Sequence, residues 1–181
     1  MSGKTVVQCL SALVVLFAPL QACNHDMNTG EYTSFDPAFA VAIHGDYAYI
    51  GLDGGICVLN ISNPLLPTKI ATIETGGKAK DLFIRDSLLY MAGWYSGLFI
   101  FDITEPSSLS FIGSCDTPGR AHNVVVSGGY AYVADDWSGL LIIDITDPAE
   151  PSLIGSRDTG RAMGVAAEGE YIYVVDIYKS I

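Results

Sequence analysis

Charged residues make up only 16% of this 181-residue chain, and positive ones are fewest: nine Lys and Arg against twenty Asp and Glu, a net charge of −11. An electrostatic grip on nucleic acid or anionic lipid needs clustered cations, so both are excluded as principal partners. Three histidines and four cysteines, scattered along the chain, offer no ligand set at metal spacing. No Ser or Cys nucleophile recurs beside a base, so the linear order assembles no catalytic triad, and no cofactor is called for. Helical periodicity is missing beyond roughly the first twenty residues, which excludes a helical bundle and an alternating α/β fold. What is present is a half-apolar chain in which 19 Gly and 10 Tyr punctuate short β-rich runs. The composition is all-β, with ample material for a core.

One string organises those runs. Gly139 to Gly155, GLLIIDITDPAEPSLIG, recurs as Gly97 to Gly113, GLFIFDITEPSSLSFIG, and more loosely from Gly55, GICVLNISNPLLPTKIA. Asn60, Asp102 and Asp144 stand 42 residues apart, as do Thr75, Thr117 and Thr159. Each unit divides into four short strands. In the third these are AHNVVVS, a Gly128-Gly129 turn, YAYVA, then LLIIDI after a loop, a Thr146-Asp147-Pro148 turn, and SLIGS. Four strands in about 40 to 45 residues is the size of a β-propeller blade. The units run over about 38–78, 79–120 and 121–161, with a partial one over 162–181. Three and a half blades leave unpaired β edges, so the reading is a fragment of a six- to eight-bladed propeller. A four-bladed ring borrowing Glu31 to Phe35 as an outer strand, and a dimer completing the ring in trans, are the alternatives.

The signature GLLIIDITDPAEPSLIGS, with YAYVADD before it and DTGRAMGVAAEGEYIYVVD after, resembles the LVIVD repeat family of bacterial and archaeal surface proteins. Ile142-Ile143-Asp144, Ile100-Phe101-Asp102 and Val58-Leu59-Asn60 carry the resemblance, with Pro148, Pro106 and Pro64 at the turn; Asn60 departs from the pattern. It implies an exported β-propeller, often lipid-anchored, with no shared enzymatic activity. A fold that hosts many functions does not name one.

The N-terminus carries its own message. Lys4 and the apolar run Val6 to Leu20 read as a signal peptide, too short for a membrane span of ~20 residues. Leu20-Gln21-Ala22-Cys23 resembles a bacterial lipobox, which would make Cys23 the lipidated first residue after a leader over 1–22. Membrane attachment through that lipid and a location in the bacterial cell envelope follow as expectations. Residues 23–36 then form a polar tether, whose His25 and Asp26 read as solvated rather than metal-ligating.

Candidate binding residues come from the repeat register. Lys78, Arg120 and Arg161 each stand one residue before the first strand of a unit, and Lys80 and His122 fall just inside it. First strands line a propeller's channel, so two readings stand. The cations form a ring that captures a carboxylate or sugar acid, or each pairs with an Asp of a neighbouring blade, such as Asp116 or Asp158. Trp94, Tyr95 and Trp137 occupy the loops between second and third strands, as sugar or peptide contacts or as packing between blades. Asp102 and Asp144 read as turn-capping residues rather than calcium ligands, and Cys57 and Cys115 as unbridged thiols. Tyr49, Tyr90, Tyr132 and Tyr173 share one position and predict an inward aromatic seam. The functional expectation is a non-enzymatic surface lipoprotein binding a protein, peptide or glycan, with self-association through open blade edges. The alternative is an exported hydrolase or lactonase-like enzyme with its catalytic residues in further blades.

Overall fold

The computed structural model describes residues 37–177. The leader, Cys23, the tether and the strand expected over Glu31 to Phe35 lie outside the described residues. Three four-stranded antiparallel sheets and a two-stranded one follow in sequence. Blade 1 is β1 (Ala40–His44), β2 (Tyr47–Gly51), β3 (Gly55–Asn60) and β4 (Thr68–Glu74). Blade 2 is β5 (Asp81–Arg85), β6 (Leu88–Ala92), β7 (Leu98–Asp102) and β8 (Ser110–Cys115). Blade 3 is β9 (Asn123–Ser127), β10 (Tyr130–Ala134), β11 (Leu140–Asp144) and β12 (Ser152–Arg157). The half blade 4 is β13 (Ala162–Glu168) with β14 (Tyr171–Asp176). Within every sheet the strand order is the chain order. The chain is thus an all-β, partial β-propeller.

Burial follows the position of a strand in its blade. The second strands YAYIG and LLYMA are buried along nearly their whole length, as is the third strand GICVLN. Blades 1 and 3 cover the two faces of blade 2, whereas blade 2 covers one face of blade 1 and Ala48, Ile50, Cys57 and Leu59 form a buried cluster with Leu52 on the other. Such strands read as continuous apolar runs. Outer strands such as TKIATIE and SLIGSR are mostly exposed. The apolar contacts lie between blades: Tyr49, Ile56 and Val58 of blade 1 meet Leu82, Leu89 and Met91 of blade 2. Tyr90, Leu98 and Ile100 of blade 2 meet Val124, Val133 and Leu141 of blade 3. The aromatic seam is only partly realised. Tyr49 and Tyr90 are buried, Tyr132 is half-buried and Tyr173 is exposed, because no described blade follows the fourth.

The repeated turn owes its residues to local hydrogen bonding. Asp102 Oδ1 accepts from the Thr104 N–H at 2.7 Å and Asp144 Oδ1 from the Thr146 N–H at 2.9 Å. Asn60 Oδ1 does the same for Ser62 at 2.9 Å, so the departure from Asp leaves the turn intact. A β-turn follows at once, with Pro64 at its second position and Leu66 N–H donating to Asn63 C=O at 3.0 Å. Each complete blade carries a bulge in its outer strand, at Ile70, Ile112 and Ile154, opposite the third-strand steps that follow Val58, Ile100 and Ile142. These bulges fall at one rung and curl the outer strand alike in all three.

The first strand of blade 3 begins two residues later than AHNVVVS implies. Ala121 instead makes reciprocal backbone hydrogen bonds with Trp94 of blade 2, as Ala162 does with Asp136 of blade 3. Ala79 donates to Leu52 C=O of blade 1 at 3.0 Å. These alanines are wholly buried links from one blade to the next.

Candidate functional site

Because the strands alternate in direction, the loop after each second strand and the connection into each first strand emerge at the same end of the blades. The cations, Trp94, Tyr95 and Trp137 therefore share one face. In repeat register, Asp53, Trp94 and Asp136 open the three loops, and Lys78, Arg120 and Arg161 face them. Lys78 Nζ lies 2.9 Å from Asp53 Oδ1. Arg161 Nε donates to Asp136 Oδ1. In the middle blade, where Trp94 stands in place of Asp, the Arg120 guanidinium lies 5.5 Å from the Trp94 ring centre and 4.9 Å from that of Tyr95. Arg120 also reaches past it, 3.6 Å from Asp136 Oδ2.

Asp136 therefore collects three basic groups on a side chain that is almost fully buried, the third being His122 Nε2 at 3.8 Å. Its backbone and that of Trp94 are left-handed, with φ of 52° and 58°. For a bulky Trp this is an uncommon and strained conformation. The strain is tolerated because Trp94 is held by the Ala121 bridge and by an edge contact with His122, ring centres 4.5 Å apart. Burial pushes the His122 imidazole below the usual histidine range, with Asp136 opposing and Lys80 and Arg161 adding to the fall.

Lys80 differs from the other cations. Its Nζ lies 4.5 Å from the Phe39 ring centre and 4.9 Å from that of Trp94, with no carboxylate within ion-pair reach among the described residues. Burial, then the charge of Lys78, lowers its pKa, against an opposing pull from Asp53. Tyr95 and Trp137 are exposed, and the Arg161 guanidinium lies 5.3 Å from the Trp137 ring centre. The structure thus brings all eight sequence-derived candidates, Lys78, Lys80, Arg120, His122, Arg161, Trp94, Tyr95 and Trp137, to one face. It engages Lys78 and Arg161 in ion pairs and shuts His122 Nε2 away from solvent. The carboxylates that Lys78 and Arg161 meet include Asp53 and Asp136 across the loop, farther along the chain than Asp116 and Asp158. Aligning VADDWS on IGLDGG and MAGWYS would have found them.

Buried carboxylates behind the face hold it in shape. Asp135 accepts from the Thr117 hydroxyl and the Gly119 N–H, each at 2.7 Å, pinning the connection that carries Arg120. That accounts for the repeated Thr in blade 2. On the inner strands, Asp81 accepts from the Val124 N–H at 2.9 Å and from the Asn123 amide. Asn123 in turn accepts from the Val165 N–H at 2.6 Å. Asn therefore does in one blade what Asp does in the blade before.

Burial raises the Asp81 carboxyl above the usual carboxylate range despite these donors. A carboxyl raised on folding binds protons more tightly in the native state. Stability then falls as pH climbs from the unfolded pKa through the folded one. Asp81→Asn keeps an acceptor and removes the charge. Urea midpoints should show the variant gaining on the parent as pH rises from 4 to 7; a gap independent of pH would mean that Asp81 carries no such penalty.

The LVIVD repeat model matches residues 37–75, 76–117, 118–159 and 159–180. The chain belongs to the LVIVD repeat family. No curated protein matches the chain. Among solved structures, the computationally designed Ika4 protein is similar with a TM-score of 0.64 at 12% identity, over 78% of this chain and 86% of that one. The designed Ika8 protein is similar with a TM-score of 0.62 at 11% identity, over 81% of this chain and 44% of that one. At such identities the likeness concerns the fold alone. Among the described residues no three of His, Cys, Asp and Glu gather as metal ligands would, and no disulfide joins Cys57 to Cys115.

Proposed function

We propose that this LVIVD repeat protein is a non-enzymatic binding module of the bacterial cell envelope, held to the membrane by a lipid on Cys23. Its loop face takes a peptide segment that carries a single carboxylate beside apolar residues. The observation behind this reading is the pair of exposed rings, Tyr95 and Trp137, each with a guanidinium against it, beside a Lys80 that has no carboxylate of its own. Trp, Tyr and Arg are the residues that dominate binding energy at protein interfaces, because they bury large area and hydrogen-bond at the rim. Lys80, partly desolvated, supplies the charge for the incoming carboxylate. The net charge of −11 works against long-range capture of a polyanion, which favours a single carboxylate met at short range.

Arrays of immobilised peptides and of neutral and acidic glycans test the reading. Binding should concentrate on peptides with one Asp, Glu or terminal carboxylate next to an apolar residue, and fall at least about tenfold in Lys80→Ala and in Trp137→Ala, a loss of roughly 1.4 kcal/mol. A signal confined to glycans would replace the peptide by a sugar, and silence on both arrays would remove the binding role. Separately, metabolic labelling with radioactive palmitate should mark the parent chain and not Cys23→Ala. An unlabelled parent would detach the protein from the membrane.

A further inference from the structure

The loop face changes character along the row of blades. Two of its cations each lie between two rings: Lys80 between Phe39 and Trp94, 4.5 and 4.9 Å from their centres, and Arg120 between Trp94 and Tyr95, at 5.5 and 4.9 Å. Trp94 is enclosed, since the His122 ring meets it as well, 4.5 Å away. The ring that blade 2 offers outward is therefore Tyr95, 67% exposed, and the matched ring of blade 3 is Trp137, 64% exposed. Blade 1 offers none, because Gly54 alone stands where the other loops carry Tyr95-Ser96 and Trp137-Ser138. Charge is graded in the opposite sense. Asp136 holds Arg161 and draws Arg120, and Lys78 holds Asp53 at 2.9 Å, which leaves Lys80 without a carboxylate in ion-pair reach among the described residues. Lys80 and Tyr95 both lean on Trp94, the latter with ring centres 5.8 Å apart. The unmatched cation thus stands about one sheet spacing, ~10 Å, from the first exposed ring. Tyr95 and Trp137 hold the same place in consecutive blades, so the second ring follows after a similar interval of ~10 Å.

An extended β peptide shows side chains to one side every two residues, ~7 Å, and again after four, ~13 Å, and neither matches that interval. Polyproline II repeats every three residues, ~9 Å, and enters an aromatic-lined site with its backbone already restricted. We infer that the loop face binds a polyproline II segment in one order along the blades: an acidic residue on Lys80, an apolar residue three positions away on Tyr95, and a second three further on Trp137. This rests on the peptide-binding reading above and adds the conformation, spacing and order of the ligand. Polyproline II leaves its carbonyls unpaired. Arg120, with its side chain 39% exposed and its nitrogen 3.6 Å from Asp136 Oδ2, beyond hydrogen-bond length, is placed to donate to one of them.

Fluorescence anisotropy of the full chain, purified in mild detergent, tests the order with two labelled peptides, fluorescein-Leu-Pro-Pro-Leu-Pro-Pro-Asp-amide and fluorescein-Asp-Pro-Pro-Leu-Pro-Pro-Leu-amide. In the tighter of the two, Asn in place of Asp should weaken binding to the parent about tenfold and leave binding to Lys80→Met unchanged. Ala in place of the Leu farther from the acid should weaken the parent about fivefold and leave Trp137→Ala unchanged; the nearer Leu should couple in the same way to Tyr95→Ala. A peptide with one Pro removed from each spacer should bind the parent at least about tenfold more weakly. An acid that still matters tenfold in Lys80→Met, couplings exchanged between Tyr95 and Trp137, or equal binding of the shortened peptide overturns the order and spacing. So does a parent that binds peptides on the arrays but neither of these two, whereas silence on the arrays removes the peptide site itself. Should a variant lose the circular dichroism of the parent, the comparison of spacers on the parent decides.

Discussion

Asp136→Ala is expected to lower the unfolding free energy by about 3 kcal/mol, because removing one partner of a buried ion pair leaves the other charges desolvated and unmatched. Arg161 and Arg120 converge on the Asp136 carboxylate, and His122 lies at its edge. Alanine is also a poor fit to the left-handed backbone, at φ 52°. Asn tolerates that backbone and keeps an acceptor while deleting the charge, so Asp136→Asn should lose clearly less than Asp136→Ala. A double-mutant cycle with Arg161→Ala isolates the pair itself. A coupling near zero in urea titrations would show that the convergence is a neighbourhood and not an interaction.

The second large effect concerns the glycine that begins each copy of the organising string. Gly97 and Gly139 have φ of 74° and 75°. A Cβ on Gly97 would overlap the Cys115 carbonyl of the adjoining outer strand and come within 2.9 Å of the Thr117 nitrogen. Gly139 meets the Arg157 carbonyl in the same way. Backbone cannot swing aside as a side chain can, so Gly97→Ala should cost about 3 kcal/mol, roughly 10 °C in Tm for a domain of this size. Gly128 provides the control, with φ 60° and nothing within 4 Å of an added Cβ. Its alanine variant should lose only about 1 kcal/mol, the cost of the left-handed conformation alone. Equal losses at the two positions would mean that the carbonyl overlap is relieved without cost.

The strands were legible in the sequence because period and burial agree. YAYVA, LLYMA and DLFIR are strands over the residues that the repeat marked out. The Asp-Thr turn was equally plain, since Asp102 and Asp144 act within two residues of themselves. What sequence order hid is contact between loops. Asp136 and Arg161 are 25 residues apart, and only a blade-to-blade link places one above the other. Proximity in sequence pointed to Asp116 and Asp158 instead. The aromatic seam misled for a related reason: identical positions are buried only where a following blade exists, and Tyr173 has none among the described residues.

That strand order equals chain order within every sheet has a consequence for how the protein opens. No blade depends on a segment from afar, so each sheet forms from a continuous stretch and loop closure is short for a β protein. Cooperation between blades then comes from nearest neighbours alone, as in a one-dimensional array. Blade 4, with two described strands and one covered side, is the first to loosen. Amide exchange is accordingly slowest at Met91, Ile100 and Val133, and quickens toward blade 4.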